Sequence, residues 1–164
     1  MARRPKLSFH SYHGTRYNDC SSENSLACPY FVPRQILNDG SWPHPSRLPL
    51  GAGWSGACSA TAEEMTPDET HIRDLCNLGY AIACPHLPQQ RDWEAVRFCI
   101  ANSNAAEITL RYACELDHSP VAHGTLTYDL PSESWRGLHP DPRINRLAAS
   151  YLRAYRDRRR GVLI

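Results

Sequence analysis

The sequence lacks several features that would assign its function directly. No apolar run approaches the roughly 18–20 residues that a membrane-spanning helix needs, so we expect no membrane span. The basic start at residues 1–6 is not followed by an apolar segment, and a secretory signal is therefore not expected. No Ser/His/Asp or paired-carboxylate grouping stands out. The sequence thus indicates no catalytic residues, and an electron carrier or accessory subunit is expected rather than a stand-alone enzyme.

Lysine is almost absent, because only Lys6 among the 18 basic residues is a lysine. Arginine is concentrated at the C-terminal end: residues 143–160 hold seven arginines against one acid, Asp157, for a local charge of +6. The net charge of +1 then leaves −5 for the rest of the chain. Such a basic segment can contact nucleic-acid phosphates or an acidic partner. A solvated helix face is the favoured interpretation, and nucleic-acid binding through Arg143–Arg160 is possible but not favoured.

Seven cysteines are present, yet no two of them form a Cys-x2-Cys pair. Four occur in two similar phrases, Cys20-x7-Cys28-Pro and Cys76-x7-Cys84-Pro, and Cys58 ends a glycine-rich stretch between them. We expect the chain to mature in the cytoplasm, where thiols stay reduced. Clustered cysteines in that compartment are more often metal ligands or redox groups than disulfides.

The loop positions of these cysteines favour an iron–sulfur cluster over zinc. Structural zinc sites often use knuckles with two to four intervening residues, which this chain lacks, whereas cluster ligands can come from separate loops. The predicted [4Fe–4S] ligands are Cys28, Cys58, Cys76 and Cys84. Cys20 and His86 are the alternative ligands, and zinc is the alternative metal. Cys28 is preferred to Cys20 because the proline after it repeats the context of Cys84.

The other two cysteines are predicted to be core residues. Cys99 falls on the apolar face of a predicted helix, and Cys114 falls on the apolar face of a predicted strand. Free cysteine is commonly buried, so neither is predicted to bind a metal.

The predicted fold is a single α+β domain over residues 1–164, with residues 1–57 mostly irregular and helices, a β-hairpin and a C-terminal helix in residues 58–164. A short helix is predicted from Pro33 to about Gly40. The capping box at Thr66–Glu69 begins a second helix that ends at Asn77–Gly79. The other predicted elements are a helix at 90–101, a hairpin of 108–114 with 121–130, and a long amphipathic helix after Asp141-Pro142.

Together these patterns predict a small cysteine-ligated iron–sulfur protein. Four cysteine ligands leave no iron open to substrate, so an electron-transfer or structural role in a larger assembly, with a protein partner, is expected. The alternative is a zinc-stabilised module that uses the arginine-rich helix to bind protein or nucleic acid.

Overall fold

A computed structural model describes residues 26–79 and 83–163 of the chain. This part forms two antiparallel sheets and a long C-terminal helix, which confirms the predicted α+β class. The two-stranded sheet pairs β1 (Phe31–Leu37) with β2 (Gly53–Cys58). The four-stranded sheet has the order β3 (Ala95–Ser103), β4 (Glu107–Leu116), β5 (Ser119–Asp129) and β6 (Ser134–Trp135). The helices are a 3-10 turn (Pro45–Arg47), α1 (Glu69–His71) with its π-helical continuation (Ile72–Cys76), and α2 (Pro142–Arg159).

The predicted β-hairpin is confirmed as β4 and β5. Its side chains alternate as expected, since Ile108, Leu110, Tyr112 and Cys114 are all buried. Leu110 lies opposite Leu126 on β5, so the inner faces of both strands contribute to the same core.

The helix predicted at 90–101 is wrong, because these residues lead into and form β3. Val96, Phe98 and Ile100 also recur at period two, the strand period, and they pair across the sheet with the buried face of β4. Partners distant in sequence therefore decide the structure of a segment whose apolar spacing fits both a helix and a strand.

The helix predicted after Pro33 is also wrong, because residues 31–37 form β1. The register of β1 against β2 shifts between Pro33 and Gln35. Proline has no N–H group to donate, so an irregularity of this kind is where a strand accommodates it. Strands β1 and β2 also lie within the range that was predicted to be mostly irregular.

The helix predicted to run from the Thr66–Glu69 capping box to Asn77–Gly79 is present, but it starts later than expected. Asp68 rather than Thr66 is the N-cap, and its carboxylate accepts the His71 N–H at 2.9 Å. After His71 the backbone continues as a single π-helical stretch to Cys76. Gly79, with φ +68°, follows the helix end as predicted.

The long C-terminal helix α2 begins as predicted at Asp141, whose carboxylate accepts the Arg143 N–H at 2.9 Å. Its apolar stripe buries Ile144, Leu147, Ala148 and Leu152. The helix packs against β1 and β3 and so joins the two sheets. Among the described residues, no helix is both long enough and apolar enough to cross a membrane.

Candidate metal centre

The β1–β2 pair brings Cys28 and Cys58 to the same end of the two-stranded sheet. Cys58 lies opposite Phe31, only three residues after Cys28. The Ser59 N–H donates to the Tyr30 carbonyl at 2.8 Å, which extends the pairing beyond the last ladder position. Strand pairing therefore places the segment that carries Cys28 beside the segment that carries Cys58.

Cys76 is held beside this sheet by its neighbour Asn77, which is 4% exposed. The Asn77 side chain accepts the Trp54 N–H at 2.9 Å and donates to the Trp54 carbonyl at 2.9 Å. It also donates to the Ile72 carbonyl at 2.9 Å. One amide side chain thus ties the end of the π-helical turn to β2. Sequence reasoning interpreted Asn77 only as part of a helix stop and missed this role.

Gly79 brings the chain after Cys76 against the segment that carries Cys28. A Cβ atom at Gly79 would overlap the carbonyl oxygen of Leu26, two residues before Cys28. Position 79 favours glycine for two reasons: its φ is positive, and a Cβ atom would overlap the Leu26 backbone. The close approach depends on backbone contact, so a helix-stop pattern alone could not predict it.

The two Cys-Pro phrases adopt the same kind of turn. The Phe31 N–H donates to the Cys28 carbonyl at 3.2 Å, and the Leu87 N–H donates to the Cys84 carbonyl at 3.2 Å. Proline suits the second position of such a turn because its φ is already fixed. Next to Cys84, the His86 ring lies 5.8 Å from the ring of His71, which places the second turn beside α1.

The electrostatics show that the four predicted thiols form one interacting group. Burial, together with the smaller effects of Cys28, Cys58 and Cys84, raises the pKa of Cys76 to about 12. Burial, together with the smaller effects of Cys58 and Cys84, raises the pKa of Cys28 to about 11. The pKa of Cys58 is raised by burial and by Cys84. Negative charge on any one of these sulfurs is therefore felt by the others.

Backbone groups near two of the sulfurs partly offset the effect of burial. The backbone at Tyr30 and Phe31 lowers the pKa of Cys28, and the backbone at Ala60 lowers that of Cys58. The turns that follow the cysteines thus supply donors suited to a thiolate.

Within residues 26–79 and 83–163, no three His, Cys, Asp or Glu side chains are arranged to hold one metal ion. The four predicted ligands are therefore not arranged as a metal site in this part of the chain.

Of the predictions for the remaining cysteines, one is confirmed and one is wrong. Cys114 is 1% exposed on β4, as predicted, and burial raises its pKa to about 11. The prediction for Cys99 is wrong, because this residue lies half-buried on β3 and is disulfide-bonded. Cys28, Cys58, Cys76, Cys84 and Cys114 are free thiols. Cys20, the alternative ligand, lies outside the described residues.

The arginines of α2 are not uniformly solvated. The Arg143 guanidinium lies over the rings of Trp93, at 4.4 Å, and Tyr30, at 5.1 Å. Arg158 donates to the Gly51 carbonyl, and burial lowers its pKa. Part of the predicted basic face is therefore used to attach the helix to the rest of the protein.

No protein-family model, curated protein or solved structure matches this chain.

Proposed function

We propose that Cys28, Cys58, Cys76 and Cys84 ligate a [4Fe–4S] cluster and that the protein is an electron carrier or a cluster-stabilised subunit of a larger assembly. The observation that carries this proposal is that four free thiols from three separate segments lie within electrostatic reach of one another. Strand register, the Asn77 side chain and the Gly79 contact each contribute to that proximity.

The surroundings of the thiols support a bound cation. Four mutually repelling thiolates in a partly buried site are unfavourable unless positive charge compensates them. Iron ions would supply that charge and would deprotonate the coordinating thiols. The site is thus suited to a metal group that brings several positive charges at once.

A cluster is proposed ahead of a single zinc ion because of how the cysteines are spaced in the chain. The ligands of one zinc ion must surround a single point, but those of a cubane bind at its separate corners and stand further apart. The proposed ligands come from separate segments, and the chain has no Cys-x2-Cys pair of the kind that zinc sites often use.

The hydrogen bonds at Cys28 and Cys58 suit a redox cluster. Hydrogen bonds to cluster sulfurs are one of the factors that set the reduction potential of iron–sulfur centres. The backbone at Tyr30, Phe31 and Ala60 lowers the pKa of the neighbouring cysteines, as donors near a thiolate do. With all four irons held by cysteine, the proposed role is electron transfer or structural support rather than chemistry on a substrate.

We also propose a reducing compartment such as the cytoplasm for the five free thiols, although the disulfide of Cys99 is uncommon in that environment.

Single substitutions of the cysteines by alanine test the ligand assignment. Each of Cys28→Ala, Cys58→Ala, Cys76→Ala and Cys84→Ala should remove most of the broad absorbance at about 400 nm that a cluster gives in anaerobically purified protein. Cys114→Ala is the matched control, because it removes a buried thiol on β4 outside the interacting group. Cys20→Ala and His86→Ala should retain the colour.

Three outcomes separate the alternatives. Loss of colour in Cys20→Ala but not in Cys28→Ala would show that Cys20, rather than Cys28, is the fourth ligand. A colourless wild-type protein that contains one zinc ion supports the zinc-stabilised module instead. A colourless wild-type protein without metal removes both metal hypotheses.

A further inference from the structure

A groove of about 310 Å³ lies between the β5–β6 hairpin and the C-terminal half of α2. Tyr128 and Trp135 form an aromatic wall, with their rings edge to face at 5.3 Å. Arg153, Arg156 and Arg160 line the groove from the helix side. Guanidinium groups beside aromatic rings form a typical recognition surface for anionic groups on a protein partner.

The arginines of this groove carry positive charge that the protein itself only partly neutralises. Arg153 lies 3.7 Å from Asp157, and Arg156 lies 3.2 Å from Glu133. Among the described side chains, no carboxylate pairs with Arg160, which is exposed. Arg156 and Arg160 also line a second depression next to the first, so the positive surface extends across both.

The contact between Arg156 and Glu133 shows which chemistry the groove accepts. The Glu133 side chain is 70% exposed, whereas that of Arg156 is 21% exposed. Glu133 has φ +48°, a backbone conformation that a residue other than glycine rarely adopts. An exposed ion pair contributes little stability, so a carboxylate from another molecule can replace this one.

We propose that this groove docks an acidic segment of a partner protein and that Glu133 pairs with Arg156 in the free protein in place of a partner carboxylate. The partner's carboxylates would bind Arg156 and Arg160, and its apolar side chains would contact Trp135. Asp157 in the groove disfavours a continuous run of phosphates, which makes a peptide with spaced carboxylates a better fit than nucleic acid. The docking of an acidic segment does not depend on the proposed function. Only the role of the partner, in redox chemistry or in assembly, rests on it.

The test is the binding of a fluorescent peptide of alternating Glu and Gly to the full-length protein, followed by anisotropy at low salt. Arg156→Gln and Arg160→Gln should each weaken binding by about fivefold or more, because each removes a charge-assisted contact. Glu133→Gln should tighten binding by about twofold to fivefold, because it frees Arg156. Added salt should weaken binding for every variant.

Arg34→Gln is the matched control, since it removes one exposed charge on β1, outside the groove. It should change the affinity by less than about twofold. Equal effects of Arg34→Gln and Arg160→Gln would overturn the inference, as would tighter binding of a single-stranded oligonucleotide carrying the same number of charges. Weaker peptide binding by Glu133→Gln would also overturn it.

The iron and sulfide content of the same samples separates this inference from the proposed function. A colourless protein that shows the predicted peptide binding retains the docking groove and removes the cluster. A brown protein without peptide binding retains the cluster and removes the docking groove.

Discussion

The Asn77 side chain pairs with both backbone polar groups of Trp54, accepting from its N–H and donating to its carbonyl, each at 2.9 Å. This pairing joins the residue after Cys76 to Trp54, the second residue of β2. It allows one strand to position two of the proposed ligands, since Cys58 ends the same strand.

Asn77→Ala should lower the free energy of unfolding by on the order of 2 kcal/mol, because it leaves buried backbone groups of Trp54 without partners. It should also lower the metal content, since Cys76 would no longer be fixed to β2. Urea unfolding and iron analysis measure the two effects. Asn102→Ala, at an exposed position of β3, is the control and should change neither quantity. Equal stability of the two variants would contradict the role given to Asn77.

Gly79→Ala should be more destabilising than Gly40→Ala. Both glycines have positive φ, so both substitutions carry a backbone penalty of about 1–2 kcal/mol. Only at Gly79 does the new methyl group also meet the Leu26 backbone, whereas at Gly40 it meets open space. The difference in unfolding free energy between the variants isolates the close approach. No difference would show that the segment after Cys76 does not pack against Leu26.

The sequence predicted most reliably the elements that local patterns determine. The period-two alternation of β4 and the Asp141 cap of α2 depend on neighbouring residues, and both were confirmed. Strands β1 and β3 were predicted as helices, because their conformation is decided by pairing with β2 and β4. Neither Pro33 nor the apolar positions Val96 and Cys99 carry information about those partners.

At the candidate site too, local sequence patterns suggested the ligands, but they did not predict the contacts between residues distant in sequence. The Cys-Pro context and the glycine-rich stretch before Cys58 led to the prediction of a shared site, and the ligand role of its cysteines stays a prediction. The contacts that bring them together, Asn77 with Trp54 and Gly79 with Leu26, join residues distant in sequence. No local pattern distinguishes Asn77 from an ordinary helix-ending residue.

Arg143→Lys should destabilise the protein by about 1 kcal/mol, because a lysine cannot stack on the rings of Trp93 and Tyr30 as a guanidinium does. Arg153→Lys is the matched control on the same helix. The Arg153 guanidinium lies 5.7 Å from the Trp54 ring, and its side chain is 56% exposed, so a change of only a few tenths of a kcal/mol is expected. Thermal unfolding distinguishes the two. A larger effect at Arg153 would contradict this account of how α2 is attached.

Acid should weaken the β5–β6 hairpin through Asp129. The Ser132 hydroxyl, the Arg136 guanidinium and the Ser132 N–H hold the pKa of Asp129 at about 2, below its ordinary value. Because the folded-state pKa is the lower one, this carboxylate stabilises the folded state fully above about pH 4. The contribution is lost as the pH falls toward about 2.

Urea unfolding of the wild type and of Asp129→Asn, compared at pH 5 and at pH 2, measures this effect. The stability difference between the two proteins should be present at pH 5 and should disappear at pH 2. Ser132→Ala should move the loss to higher pH, because it removes the first of the donors that lower the pKa. A stability difference that does not change with pH would contradict this assignment.

The iron, acid-labile sulfide and zinc content of the anaerobically purified wild-type protein tests the central claim most directly. A [4Fe–4S] cluster on Cys28, Cys58, Cys76 and Cys84 predicts about four iron and four sulfide per chain, with no stoichiometric zinc. One zinc ion per chain without sulfide, or a protein free of metal, would contradict it.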